Sequence, residues 1–376
     1  MNINKPTQNK LFSNGNMNSN NKEVFISLVK AGLWEKKVRL LQYENVNWEE
    51  VYRIASEQSV LGLVLAGIEN LSSEQRPLQA LLLQMIGEVQ MLEQQNKAMN
   101  QFVADLIERL RKADIYTLLV KGQGLAQCYE KPLWRSSGDV DLLLSDSNYK
   151  KAKVFLLPLS TDNKKDERYS KHLGMNIGQW YVEIHGTLRT GLSGRVDKVV
   201  DEVQKSVFNE GQVRTWMDEN TNVFLPSPDN DVFFVFTHFI KHFYKEGMSL
   251  RQMCDWCRLL WTFKDSLDHG LLEKRIRKAG LMSEWKAFAA LAVEYLGMPI
   301  DAVPLLDVRS LKDDVRWKKK AERILKHILK GEPYSKVRDT WAIAKIFPWN
   351  TFKFLPGILW HLNWLKVKER LLPQGR

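Results

Sequence analysis

Cysteine is scarce in this chain of 376 residues, with only Cys128, Cys254 and Cys257. An odd number at wide spacing does not make a disulfide framework. Cys254 and Cys257 form a CxxC inside an apolar helical pattern, but no second pair accompanies them. A four-ligand zinc site is therefore not in view, and two buried thiols are expected. Long apolar runs are missing as well. No stretch approaches the ~18 consecutive apolar residues of a transmembrane helix. The opening residues, MNINKPTQNKLFSNGNMNSNNK, lack the apolar core of a signal peptide. No internal repeat is present. These absences make a reducing cytoplasm the expected compartment. Residues 1–22 hold few large apolar groups and cannot offset the entropy of ordering, so a disordered leader is expected there.

The rest of the chain is ordinary globular material, 44% hydrophobic and 26% charged. It is long enough for a full core and for two or three domains. The net charge of +11 favours an anionic partner such as a nucleotide, a nucleic acid or a lipid headgroup surface. A merely soluble basic protein has the same balance.

Apolar groups at three- and four-residue spacing predict helices through 23–113, the last of them long and ending near Ala113. The pattern then changes. YTLLV, from Tyr116 to Val120, reads as a buried strand closed by a Lys121-Gly122 turn, and GLAQCYEK as a short helix. PLWRSSG is a loop, and a second strand begins at Asp139. NYKKAKVFLLPL predicts a helix, DNKKDERYSK a polar loop, and KHLGMNIG and QWYVEIHGTL two further strands. Beyond about 226 helices return, with DNDVFFVFTHFIKHFYKEG and SLRQMCDWCRLLWTFK the strongest. Pro356 is expected to interrupt the aromatic, basic C-terminal stretch.

GDVDLLL carries the main chemical signal. On a strand, Asp139 and Asp141 share one face while Val140 and Leu142 take the other. Two carboxylates so placed repel unless cations lie between them, which suits Mg²⁺. A solvated Asp pair at a strand start is the plainer alternative. Glu183, in WYVEIHG, shares a face with His185 opposite Val182 and Ile184. If its strand lies beside the GDVD strand, Glu183 completes a three-carboxylate cluster; on an edge strand it simply faces water. The Lys121-Gly122 turn leads into a helix N-terminus, a natural phosphate seat. Lys121 adds a point charge there and Arg135 a bidentate donor. Gly138 would let substrate approach the backbone.

Taken together, VKGQGLAQCYEKPLWRSSGDVDLLL resembles the uncharacterised nucleotidyltransferase family of the DNA-polymerase-β-like superfamily. The Glu183-x-His185 strand and the later HFIKHFYKEGMSLRQMCDW match that family's further elements, so the resemblance spans roughly residues 23 to 300. The superfamily's usual Gly-Ser at the first turn is replaced here by Lys121-Gly122, as is usual in this branch. The order of elements predicts a small α/β core at 114–226 between helical regions at 23–113 and 227–335, with a basic aromatic segment at 336–376, and the resemblance implies that this is an α+β fold with a small mixed-sheet nucleotidyltransferase core. It also implies Mg²⁺ or Mn²⁺ on Asp139, Asp141 and Glu183, with Glu183 serving the ion that activates an acceptor hydroxyl. Lys121, Gly122, Arg135 and Gly138 would hold the phosphates of a nucleoside triphosphate, with Ser137 a lesser contact. The family fixes no acceptor; a small molecule, a protein and RNA are all open. A toxin-like enzyme modifying tRNA or protein and a catalytically silent nucleotide-binding or scaffold protein are the alternatives.

His185, His238, Arg251 and Asp255 are expected to face substrate or brace the site. His238 and His242 sit at i and i+4, but FIK between them lacks the Glu of a zinc-protease motif. Arg251 and Asp255, at the same spacing, are expected to form an ion pair. The basic run over 312–338 and the tail with Trp349, Trp360 and Trp364 offer a nucleic-acid backbone contact, a peripheral membrane contact, or packing on the helical region.

Overall fold

The computed structural model describes residues 19–36, 40, 45–161, 171–218, 221–306 and 315–371, with backbone alone beyond 359. Helix α1 spans Ser19–Trp34, so the four residues Ser19–Lys22 are helical rather than part of a leader; residues 1–18 lie outside the described residues. Helices α2 (Trp48–Glu57) and α3 (Leu61–Glu69) follow. The Asn47 side chain caps α2 by accepting from the Glu50 N–H at 3.0 Å. Helices α1 and α3 cross at backbone contact. A Cβ on Gly32 would lie 2.0 Å from the Leu63 carbonyl oxygen, and one on Gly67 2.4 Å from that of Leu28.

Helix α4 (Gln79–Lys112) has 34 residues and is roughly 50 Å long. Its first half buries Leu81, Met85 and Val89 among the N-terminal helices. Its second half buries Met99, Val103, Leu106, Ile107 and Leu110 against a sheet. Asn96 sits fully buried between the two.

That sheet has strands β1 (Leu118–Val120), β2 (Asp139–Leu143), β3 (His172–Ile177) and β4 (Trp180–His185), in the order β1-β2-β4-β3. Strands β2 and β4 run parallel and the outer pairs antiparallel, which makes the sheet mixed. Strand β1 leads into α5 (Gly122–Ala126), and β2 into α6 (Asp146–Leu156), capped by Ser145. Val140, Leu142, Val182, Ile184, Leu173 and Met175 form the apolar face that packs on α4 and α6. The opposite face carries the charged residues. The polar loop expected at DNKKDERYSK falls, for 162–170, outside the described residues.

A helix and two strands extend the core beyond the sequence reading, which assigns nothing between Leu188 and Pro226. Helix α7 (Gly194–Glu210) buries Val196, Val199, Val200, Val203 and Val207. Strands β5 (Val213–Asp218) and β6 (Thr221–Pro226) form an antiparallel pair beside β1. Helices α8 (Pro228–Lys245), α9 (Leu250–Phe263), α10 (His269–Ala279) and α11 (Met282–Glu294) follow. Their core is aromatic: the Phe236 ring lies 4.8 Å from Trp285, and Trp256 4.9 Å from Trp285. Cys254 and Cys257 are buried there as free thiols.

Helices α12 (Val315–Ile328), α13 (Lys336–Ala344) and α14 (Pro348–Leu371) close the chain. Contrary to expectation, α14 runs through Pro356. Phe354 and Ile358, on either side of it, are buried while Pro356 faces solvent, so packing sustains the helix across the missing N–H. A fully buried Glu284 ties α8, α11 and α14 together, accepting from Tyr244 Oη at 2.8 Å and Asn350 Nδ2 at 2.7 Å. Of the basic run, Arg316, Lys319, Arg323 and Lys326 are exposed on α12, whose inner side buries Trp317, Ala321, Ile324 and Ile328; residues 312–314 lie outside the described residues. Among the described residues no helix is long and apolar enough to cross a membrane.

Candidate active site

The parallel register of β2 and β4 decides the geometry. Asp139 pairs with Tyr181, and Asp141 with Glu183. Residues opposite one another share a face, so the strand that carries Glu183 lies directly beside the one that carries the Asp pair. Asp139, Asp141 and Glu183 each offer an oxygen within 4.8 Å of the others.

Asp141 is the buried member. Its Oδ1 accepts from Lys121 Nζ at 2.9 Å and from His185 Nε2 at 2.6 Å. Burial pushes its pKa up, but the Lys121 charge and the His185 hydrogen bond outweigh that and hold the carboxyl well below the usual range. Burial likewise opposes ionisation of Glu183, and the hydrogen bond from His172 Nε2 at 2.9 Å helps bring its net pKa down. Asp139 is different. Burial and then the neighbouring Asp141 charge push it up, with Lys121 only partly compensating. His185, nearly enclosed, is pushed down by burial despite Asp141.

Lys121 reaches Asp141 from the first turn, in a backbone conformation unusual for a side-chain-bearing residue (φ 60°, ψ −146°). Gly122 follows at φ 41°, where glycine is favoured. Together they turn the chain sharply off β1. Lys121 is thus committed to a carboxylate rather than presented to a phosphate. The helix it opens, α5, has only five residues, too few for the dipole expected to seat an anion.

Arg135 also departs from expectation. Its Nε and Nη2 donate to Asp255 at 2.7 and 2.8 Å, and its Nη1 to Ser136 O and Ser137 Oγ at 3.1 and 2.9 Å. The pair is buried on both sides, and Tyr129 Oη donates to Asp255 at 2.8 Å. Arg135 is a brace between the loop before β2 and α9, not an open phosphate fork. Asp255 therefore pairs with Arg135 instead of Arg251. Arg251 Nη1 instead donates to Ser136 O at 2.6 Å, while its Nε is buried with no partner among the described residues. It lies close enough to Asp139 for each to feel the other's charge.

Asn96 holds the same loop from α4, donating to Leu133 O at 2.7 Å and Arg135 O at 2.8 Å. Ser137 Oγ donates to Gln123 Oε1 at 3.0 Å, and Gly138 stands exposed beside Asp139. From α8, His238 and His242 join Nε2 to Nε2 at 3.0 Å, and His242 Nδ1 meets Glu246 at 2.9 Å. Burial, then the Lys121 charge, depress His238 well below the ordinary imidazole value, which places it near the acidic cluster. Sequence reasoning missed Asn96, Gln123 and His172. None has a local signature, because each acts across a pairing that only the fold creates.

The small mixed sheet thus bears Asp-x-Asp on one strand and a third carboxylate on its parallel neighbour. The chain belongs to the uncharacterised nucleotidyltransferase family, whose family model matches residues 44–297. No curated protein matches the chain. Among solved structures, an antigenic nucleotidyltransferase-like protein from Paracoccidioides brasiliensis is similar at 11% identity, over 57% of this chain and 96% of that one, with a TM-score of 0.34.

Proposed function

We propose that this protein is a metal-dependent nucleotidyltransferase that moves a nucleoside monophosphate from a nucleoside triphosphate to a hydroxyl acceptor. The acceptor oxygen forms a bond to the α-phosphorus, the bond to the β-phosphate oxygen breaks, and pyrophosphate leaves with the electron pair. The acceptor's proton passes to the acidic cluster or to water.

The observation that carries this reading is the Asp141–Glu183 register, which gathers three carboxylates within 4.8 Å. The donor set fits a hard divalent cation: all oxygen, and partly open at Asp139, where burial and the Asp141 charge oppose ionisation. Asp139, Asp141 and Glu183 would hold Mg²⁺ or Mn²⁺, which supplies charge neutralisation for the triphosphate and lowers the pKa of the acceptor hydroxyl. The chain's own residues then have defined tasks. Lys121 and His185 fix the Asp141 carboxylate in its ionised form and orientation. Exposed Gly138 leaves room for the nucleotide beside Asp139. Arg251, with its unpartnered Nε, replaces Arg135 as the guanidinium assigned to phosphate. Positioning and charge stabilisation are what such a transfer requires.

Incubation with each nucleoside triphosphate, labelled at the α- or the γ-phosphate, together with Mg²⁺ or Mn²⁺ and a cell extract, tests the reading. Label from the α-position should pass to RNA, protein or a small metabolite, and γ-label should appear only in pyrophosphate. Transfer of γ-label instead would mean a kinase-type reaction, and transfer of neither label would remove the proposal's basis.

A further inference from the structure

The acidic cluster has an imidazole side. His172 begins β3 and His185 ends β4, and the antiparallel register sets them directly opposite each other. Their rings stack nearly parallel, 11° apart in plane with centroids 4.6 Å apart. Both Nε2 atoms point to the acidic face. His172 Nε2 lies 2.9 Å from Glu183 Oε2, while His185 Nε2 lies 3.6 Å from Glu183 Oε2 and 2.6 Å from Asp141 Oδ1. One ligand atom from each of His172, Glu183 and His185 falls within 4.8 Å of the other two.

We infer that His172, Glu183 and His185 form a second cation position, distinct in chemistry from the all-oxygen one, that takes a transition-metal dication of the Mn²⁺ to Zn²⁺ series. Ligand atoms about 2.1 Å from a common ion stand roughly 3.0–3.4 Å apart in octahedral or tetrahedral arrangement. The His172–Glu183 and His185–Glu183 separations bracket that range. Two imidazoles and a carboxylate, reached from the half-exposed His172 side, are a donor set that Mg²⁺ does not favour and that first-row transition ions do. A ligating Nε2 carries no proton, so His185 would give up its hydrogen bond to Asp141 Oδ1, 2.6 Å from that nitrogen, when the ion binds. The inference extends the proposed function, with which it shares Glu183, and makes the centre a mixed one. Asp139 belongs to the oxygen position alone, and His172 to the nitrogen position alone.

Co²⁺ binding to the chelator-stripped full-length protein tests this, because its ligand-field absorption reports nitrogen ligation. The wild type, in excess Mg²⁺, is expected to retain one Co²⁺ per chain with a nitrogen-type spectrum. His172→Ala should lower Co²⁺ affinity at least tenfold. His172 stands half-exposed at a strand end, so circular dichroism should show the fold intact, and His172→Gln should show the same loss. Asp139→Asn should keep the Co²⁺ and its spectrum. Wild-type protein that holds no Co²⁺ against Mg²⁺ would overturn the inference, as would His172→Ala and His172→Gln proteins that bind it unchanged. Failure of the nucleotidyl-transfer reading would look different: Co²⁺ would bind as described, yet no α-label would transfer under any metal.

Discussion

Asp139→Asn is expected to lose nucleotidyl transfer by roughly a thousandfold or more, while the metal-free protein melts no earlier than the parent. Removing one anionic ligand takes several kcal/mol from transition-state stabilisation, and about 1.4 kcal/mol corresponds to each tenfold in rate. The stability half follows from the direction of the Asp139 shift. Burial, then the Asp141 charge, raise its pKa in the folded protein. A carboxyl whose folded pKa lies above its unfolded one costs stability once pH rises past both values, so its ionised form opposes folding at neutral pH. A neutral amide removes that opposition. Asp141→Asn should behave in the opposite sense for stability. Its folded pKa is lowered by Lys121 and His185, so its charge supports the fold above the unfolded value, and its loss leaves Lys121 facing an amide. Transfer rates and thermal melting in chelator, measured on both variants, check the contrast. An Asp139→Asn protein that melts well below the parent would contradict the electrostatic account of the cluster.

Arg135→Ala is expected to destabilise the protein by about 3–5 kcal/mol, the range for removing one partner of a buried ion pair. Its guanidinium holds Asp255 at two points, and the loop through Ser136 and Ser137, so truncation strands a buried carboxylate on α9. Replacing both members, as Arg135→Met with Asp255→Leu, should recover much of the loss because no charge is then left unpaired. Denaturant unfolding of the two single variants and the double variant measures this coupling. If Arg135→Ala instead unfolds like the parent and fails only to bind triphosphate, the residue is a phosphate donor and the structural assignment of its role is wrong.

The two arginines show where sequence reading stops. Arg135 sits three residues before Gly138 in a loop, the place where a phosphate donor is expected, and nothing local reveals that α9 brings Asp255 to it from 120 residues away. Arg251 and Asp255 share a helical face by spacing alone, yet Asp255 turns to the better-placed guanidinium of Arg135. The carboxylates fare better. The alternation in GDVDLLL and WYVEIHG fixes which residues share a face, because strand periodicity is local. That Glu183 lies beside Asp141 depends on β4 pairing parallel with β2, and strand order is not local information. Val196, Val199, Val200, Val203 and Val207 carry a legible helical spacing for α7, between a Ser193 cap and Gly211 in the left-handed conformation. The β5–β6 pair offers less: β5 alternates only between exposed and half-buried positions, with no buried stripe to mark it. Pro356 misleads because helix propensity is a weak preference that tertiary packing overrides.

Calorimetric titration with a non-hydrolysable nucleoside triphosphate analogue, with and without Mg²⁺, bears most directly on the proposed catalytic centre. The account expects binding only when the divalent ion is present, and its disappearance in both Asp139→Asn and Glu183→Gln, two positions 44 residues apart in sequence that meet only through the sheet. Equal binding in chelator, or undiminished Mg²⁺-dependent binding by either variant, would show that these carboxylates do not hold the ion that holds the nucleotide.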